Sequence, residues 1–406
     1  MKKIITLMGG SSVSYLIGFL IFILATRNFS KEEIGVYSIF LSYIAIASQL
    51  TTGKIELSIP LADHEDEQKI LASSVISTIF ISIIIGLFTL FYFPDKYFPF
   101  LEDTSMGFII LILILSIILN TLFNIMNIIL TKYGNLALYG SFLIKLSFLR
   151  ALGQLFSIFI IKSLILFIAF FTIPILIILY QSKISFFSFL KSPFEKTADD
   201  FVYVYQKYRN KIFHIMPASI LNALTVYTIP IFLGYMYPLG VVGLYMLADK
   251  MISVPFRIIS TALEANFVHT LSKDSDHPNI KFFILKYIIF YAIIFLCIYL
   301  IILYFVQSPY FTYIFSNDWK DINIYIGFIS VLYALFFISS TVSKVILLGE
   351  ETKVILLFDI MKITFLLMVY IFTIISHSDI ETFLWFYVGS MSIAAIYLIY
   401  KSYRYA

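Results

Sequence analysis

Apolar stretches long enough to cross a lipid bilayer follow one another through nearly all 406 residues of this chain. A hydrocarbon core of about 30 Å is crossed by ~20 mostly apolar helical residues. Twelve such stretches can be drawn, over residues 4–26, 35–60, 70–93, 105–130, 138–161, 163–181, 212–235, 240–268, 282–306, 322–348, 353–375 and 381–400. Composition agrees: 61% of residues are hydrophobic and 13% charged, against about 25% charged in a soluble domain. The expected fold is all-α and polytopic, with about twelve membrane-spanning helices. Lys2 and Lys3 before an apolar run resemble a signal peptide, but the run from Ile4 to Ala25 is longer than a usual signal core and more spans follow. It reads as a retained first helix. The single cysteine, Cys297, permits no intrachain disulfide. A net charge of +4 gives no sign of a nucleic-acid surface.

Orientation follows from lysine and arginine, which favour short cytoplasmic segments. Of the 28 basic residues, 16 are assigned to segments on the side of the N-terminus, counting Lys286 and Lys353 near the ends of their spans. Five (Arg27, Lys31, Lys96, Lys162 and Lys320) fall on the other side, and the rest lie inside spans. Both termini are therefore expected in the cytoplasm. The acidic loop Asp63-His64-Glu65-Asp66-Glu67 falls on that same side, but acidic residues weigh little in the rule. The longest connection carries KISFFSFLKSPFEK, a basic and aromatic segment suited to an interface with anionic lipid. It divides the chain into an N-terminal six-helix lobe (1–181), a cytoplasmic interfacial linker (182–211) and a C-terminal six-helix lobe (212–406).

The halves look like parallel repeats. Gly35-Val36-Tyr37-Ser38-Ile39 opens the second span and Gly243-Leu244-Tyr245-Met246-Leu247 the eighth. Thr131-Lys132-Tyr133-Gly134-Asn135 follows the fourth, and Leu348-Gly349-Glu350-Glu351-Thr352 the tenth. Transporters built from repeats hold their substrate near the midplane, where the repeats meet.

Charge inside a span is expensive and marks protein interiors or water-filled cavities. The stretch Val241–His269 carries Asp249, Lys250, Arg257 and Glu264. Lys250, Arg257 and Glu264 are seven residues apart, so they share a face, about 10.5 Å of rise apart. That is too far to pair along one helix. Elsewhere the spans hold Lys54, Glu56, Lys145, Arg150, Lys344, Asp359 and Lys362. Lys54 and Lys344 are near helix ends and can snorkel. Asp359 and Lys362, three apart, can neutralise each other. Arg150, Lys250 and Arg257 are the candidates for anion recognition, because a planar guanidinium matches phosphate with two parallel hydrogen bonds. Asp249, Glu264 and Glu56 are candidates for a coupling proton or sodium ion, or else counter-ions to the arginines.

The sequence contains no phosphate loop, dinucleotide fingerprint or zinc-protease motif. Its five histidines (His64, His214, His269, His277 and His377) are scattered, so no metal site or cofactor is expected. An enzyme is not expected either, and transport would draw on an ion gradient, a substrate gradient or a partner.

RNFSKEEIGVYSIF (Arg27–Phe40), GLYMLADKMISVPFRIISTAL (Gly243–Leu263) and IFSNDW (Ile314–Trp319) resemble polysaccharide, or Wzx-type O-antigen, flippases. The order and spacing of these motifs extend the resemblance over essentially the whole chain. It implies a two-lobed bundle of the multidrug/oligosaccharidyl-lipid/polysaccharide exporter (MOP) superfamily. It also implies flipping of an undecaprenyl-pyrophosphate-linked oligosaccharide across a bacterial cytoplasmic membrane, with surface-polysaccharide polymerase and chain-length proteins as partners. Cationic cavity residues would meet the lipid-linked cargo: here Arg150, Lys250 and Arg257, with Lys145 and Lys54 after them. Arg150 and Arg257 are expected to face one cavity. Two other functions compete. A drug-cation exporter of the same fold would favour acidic cavity residues, and a membrane polymerase or glycosyltransferase would show a large external loop, which this chain lacks.

Overall fold

The computed structural model describes residues 2–92, 106–182, 198–273, 280–348 and 352–405. The described residues are helical almost throughout and contain no strand. The long helices are α1 (Lys2–Asn28), α2 (Lys31–Leu50), α3 (His64–Tyr92), α4 (Met106–Lys132) and α5 (Leu136–Phe156). Next come α6 (Leu164–Thr172), α7 (Pro174–Gln181), α8 (Ala198–Met236), α9 (Leu239–Lys273) and α10 (Ile280–Gln307). The remainder are α11 (Pro309–Phe315), α12 (Ile322–Val342), α13 (Lys344–Leu348), α14 (Thr352–Ser376) and α15 (Ile380–Tyr405). Twelve spans among the described residues are long and apolar enough to cross a membrane, which bears out the expected fold class. The connecting segment KISFFSFLKSPFEK lies outside the described residues, as do His277 and Gly349-Glu350-Glu351.

Sequence chemistry sets the boundaries. Ser30 and Glu33 form a reciprocal cap on α2: the Ser30 N–H donates to Glu33 Oε2 at 2.7 Å, and the Glu33 N–H donates to Ser30 Oγ at 3.1 Å. Gly134 ends α4 with φ of 68°. The Asn135 N–H reaches the Leu130 carbonyl at 2.8 Å and the Gly134 N–H reaches Thr131 at 3.1 Å, the paired bonds of a glycine C-terminal cap. Pro174 divides the stretch 163–181 into α6 and α7, since its ring cannot donate to the preceding turn. Pro217, Pro230 and Pro255, by contrast, lie inside continuous helices.

One expectation fails in detail. The stretch 35–60 is not a single helix. α2 stops at Leu50, Gly53 and Lys54 adopt left-handed backbone (φ 59° and 62°), and residues 55–61 form a tight 3₁₀ turn. Two consecutive left-handed residues cannot continue an α-helix.

Two compact units are distinguished. The first holds Met1–Phe29 and Val36–Ile231, the second Ser30–Gly35 and Phe232–Ala406. In the first, the core gathers Ile55 and Ile59 of the 3₁₀ turn, Ile70 of α3, Met126 of α4 and Ile175 and Ile178 of α7. The acidic residues 63–67 have local uses there. Asp63 Oδ1 accepts from the Asp66 N–H at 2.8 Å and caps α3, where carboxylates also suit the positive end of the helix dipole. Asp66 accepts from Lys207 and, at 2.8 Å, from Tyr208. Glu67 accepts from Lys132 at 2.5 Å and Tyr133 at 2.9 Å. The bond to Asp66 holds Lys207 protonated well above the usual lysine range. Burial, with the Asp66 carboxylate second, pushes the Tyr208 phenol up to about 12.

In the second unit, α9 is the most enclosed span: 78% of its apolar stretch is buried, against 11% for α10. The first turn of α2 packs on it with no room for side chains. A Cβ on Gly35 would sit 2.3 Å from the Leu239 carbonyl oxygen, and one on Gly243 would sit 2.1 Å from that of Lys31. These are the two glycines that marked the sequence repeat. Backbone atoms cannot yield as a flexible side chain does, so Gly243→Ala should destabilise the protein by about 1–3 kcal/mol. Gly327→Ala, which meets nothing within 4 Å, should leave stability level or slightly raised. Thermal unfolding of the detergent-purified variants checks this; equal melting temperatures would refute the close packing.

Candidate functional site

α9 presents ionisable groups on two different faces. Asp249 points to α12, where the Tyr333 hydroxyl donates to Asp249 Oδ1 at 2.5 Å. Tyr245, one turn earlier, and Tyr387 of α15 are the other phenols within electrostatic reach of Asp249. Stacked rings continue that surface, with Phe232 lying 3.8 Å from Tyr370 and Phe383 lying 5.9 Å from Tyr387. The Asp249 carboxylate is thus held by a neutral hydroxyl within an aromatic wall.

Lys250, Arg257 and Glu264 occupy the other face. Glu264 Oε1 accepts from Ser340 Oγ of α12 at 3.1 Å, so its partner is another helix, as the spacing required. Lys250 is half-buried and Arg257 exposed. Lys250 feels attraction from Asp249 and repulsion from Arg257, yet its ammonium makes no hydrogen bond or ion pair with a described residue. Successive side chains on a helix diverge by about 100°, so Asp249 cannot turn to Lys250 while it faces Tyr333. Two cations two turns apart, one without a carboxylate partner, form a positive strip.

In the first unit, Arg150 shares the inward stripe of α5 with Leu146 and Gln154, both buried. Its guanidinium carbon lies 4.1 Å from the centre of the Phe171 ring. Phe171 packs edge-on against Tyr37 of α2 at 6.5 Å. Gln154 donates to the Phe167 carbonyl at 3.5 Å. Arg150 Nε is enclosed and has no hydrogen-bond partner among the described residues.

The remaining candidates go elsewhere. Lys145 is exposed, 5.8 Å from the Phe142 ring, and about 140° around α5 from Arg150. Lys54 and Glu56 sit at the start of the 3₁₀ segment after α2, not within an α-helix, with 3.8 Å between Nζ and Oε1. Glu56 Oε2 has no hydrogen-bond partner among the described residues. Asp359 and Lys362 pair at 2.8 Å, as their spacing implied. Lys344 opens α13 just past a break at Ser343. Tyr333, Tyr387 and Phe171 carry no mark in the sequence, and Tyr37 and Tyr245 stand out only as matching positions of the repeat; a chain with 29 tyrosines and 43 phenylalanines singles out none of them as a site residue. No group of three or more His, Cys, Asp or Glu suited to a metal ion occurs among the described residues.

If the Tyr333 hydroxyl satisfies Asp249, then Tyr333→Phe should cost about 1 kcal/mol by leaving a half-buried carboxylate without its donor. Tyr333→Phe combined with Asp249→Asn should cost less than the two changes summed. Denaturant or thermal unfolding of the four proteins in one detergent gives the coupling; strict additivity would show that the bond contributes nothing.

Solved structures share this architecture. A lipid II flippase, MurJ, in an inward closed conformation aligns with a TM-score of 0.72 at 14% identity, over 98% of this chain and 87% of that one. An inward-facing multidrug resistance MATE family transporter of the MOP superfamily aligns at 0.67 and 15%, over 96% and 93%. A Vibrio cholerae MATE transporter aligns at 0.61 and 13%, over 99% and 96%. No family profile matches the chain. No curated protein matches it either. At these identities the likeness is one of fold: a multi-pass membrane protein with the architecture of MOP-superfamily transporters and flippases.

Proposed function

We propose that this protein carries a polyprenyl-pyrophosphate-linked oligosaccharide across the bacterial cytoplasmic membrane by alternating access, in the assembly of a surface polysaccharide. The observation that carries the reading is the strip on α9, where Lys250 has no anionic partner among the described residues and Arg257 lies two turns away. Side-chain charge at membrane depth faces water or cargo rather than lipid. A diphosphate offers the oxyanions that an ammonium and a guanidinium bind, with each charge-assisted bond contributing about 1.5–3 kcal/mol. The motifs resembling Wzx-type flippases and the fold shared with a lipid II flippase support the same class of cargo. In this reading both termini lie in the cytoplasm, 1–181 and 212–406 are the repeated lobes and 182–211 is an interfacial linker. Asp249 and Glu264, and after them Glu56, are assigned to H⁺ or Na⁺ coupling.

Export of small cationic molecules is the second reading, favoured by the fold shared with multidrug transporters and by the Asp249 carboxylate. One experiment separates the two. In cells lacking the gene, Lys250→Ala, Arg257→Ala and Arg257→Lys proteins are scored for surface polysaccharide, accumulated lipid-linked precursor and dye efflux, with protein abundance measured alongside. Flipping predicts roughly a tenfold or greater loss of polymer for either Ala variant, with precursor accumulating and efflux unchanged. Full polymer in both Ala strains would remove the strip from cargo recognition. Loss of efflux with normal polymer would favour the exporter.

A further inference from the structure

Charged residues account for only part of the polarity inside the first unit. α4 carries three asparagines, Asn120, Asn124 and Asn127, at steps of four and three residues, with Thr131 four further on. That spacing places all four on one face of the helix. By rise alone Asn120 lies about 18 Å from the Lys132 end and Asn124 about 12 Å, inside a hydrocarbon core of about 30 Å.

Around this stripe the usual burial of a spanning helix is reversed. Between Leu119 and Leu130 all the apolar side chains but Ile128 are buried, with Phe123 8% exposed, Ile125 1% and Met126 0%. The amides are what remains open: Asn124 is exposed, and Asn120 and Asn127 are half-buried. A face toward lipid would show the opposite pattern, because hydrocarbon offers an amide nothing to bond with.

The same face is closed further along the helix. Leu113 and Ile117 precede Asn120 and Asn124 by seven residues, which is two turns, and they are 4% and 0% exposed. Beside them Ser116, fully buried, donates to Thr172 Oγ1 at 3.1 Å. The stripe therefore walls a recess that opens toward the Lys132 end and shuts near mid-span. Its hydrogen bonding is unfinished. Asn120 Nδ2 donates to the Ser116 carbonyl and Thr131 Oγ1 to the Asn127 carbonyl, both at 2.8 Å. Asn124 makes no hydrogen bond with a described residue, and the enclosed Asn127 Oδ1 accepts none. An amide offers two donors and an acceptor in one plane and carries no charge. That chemistry suits hydroxyl groups better than phosphates.

We propose that the Asn120–Asn124–Asn127 stripe is a saccharide subsite, in which hydroxyls of an uncharged sugar bond the open amides and so determine which glycan is accepted. The inference rests on the proposed function for its cargo, and it concerns the glycan where the α9 strip concerns the diphosphate. The Lys132 end, where the recess opens, is cytoplasmic in the proposed topology, the side on which such a cargo is loaded. Pairing of two copies of the chain through the amides is the competing use. Closure of the face at Leu113 and Ile117 argues against it, because paired helices pack along a shared open face.

The test measures binding to the full-length protein in nanodiscs with two probes. One is the lipid-linked precursor extracted from cells lacking the gene, the other undecaprenyl pyrophosphate without sugar. Asn124→Ala and Asn127→Ala should each weaken the glycosylated probe roughly 3- to 10-fold, the equivalent of one hydrogen bond, and leave the sugar-free probe unchanged. Asn124→Gln, which keeps the amide, should recover part of the loss. The melting temperature of Asn124→Ala should be level or raised, because alanine is the better helix former. A fall in melting temperature with both affinities intact would make Asn124 structural and overturn the subsite. Equal weakening of both probes, or of neither, would overturn it too. Dimers that dissociate in the Asn variants while affinity holds would assign the stripe to a second copy instead. Lys250→Ala weakening both probes while the Asn variants weaken neither would leave the α9 reading standing alone. If the wild-type protein binds neither probe, the proposed function falls and this inference falls with it.

Discussion

A charged group placed where water is scarce needs a partner, and each solution adopted here decides what is left over for function. Asp359 and Lys362 solve the problem on one helix, three residues apart and 2.8 Å between charges. Asp66 and Glu67 solve it through Lys207, Tyr208, Lys132 and Tyr133. Asp249 and Glu264 are answered by neutral hydroxyls of α12. The consequence is an asymmetry. The anions of α9 are satisfied by groups that carry no charge, so the cations beside them are not neutralised by that satisfaction. Had Asp249 faced a lysine on α12 instead, α9 would read as an internally balanced structural helix.

Much of this was legible in the chain. Spanning length and hydropathy are properties of contiguous residues, so the twelve spans could be read directly, and so could the three-residue spacing of Asp359 and Lys362. The capping residues Ser30 and Glu33, and Gly134, act within one turn and carry a local signature. The two-faced character of α9 also followed from spacing. The acidic segment 63–67, an exception to the charge bias, became intelligible only with Lys132 and Lys207 in place, 65 and 141 residues from the carboxylates they bind.

The illegible parts have a common cause. Tyr333 reaches Asp249 across 84 residues of sequence, and Phe171 covers Arg150 from another helix. A tyrosine or phenylalanine in an apolar run carries the same local signal whether it meets lipid, a ring or a carboxylate. The break after α2 was hidden for a related reason. Hydropathy stays high through Ile55, Leu57 and Ile59, while the change is in backbone conformation at Gly53 and Lys54. Proline misled in both directions. Pro174 ends a helix, whereas Pro255 lies within α9, because the tertiary surround decides whether a missing hydrogen bond is tolerated.

The Lys250 ammonium, which pairs with no described residue, also bears on the choice between anionic and cationic cargo. A unit positive charge brought within 4–5 Å of Lys250 meets a repulsion of about 3–4 kcal/mol at an effective dielectric constant near 20. Arg257, two turns along the same face, adds to it. A cationic substrate would therefore have to be drawn by Asp249, yet that carboxylate points the other way, into the Tyr333 hydroxyl and the aromatic wall around Tyr245 and Tyr387. To use Asp249 such a substrate would first have to displace a 2.5 Å hydrogen bond. An oxyanion approaching the strip displaces no hydrogen bond or ion pair of the Lys250 ammonium among the described residues, and it gains the attraction that the cation would lose. The geometry of α9 therefore favours anionic cargo through the direction in which each charge points, more than through any excess in their number.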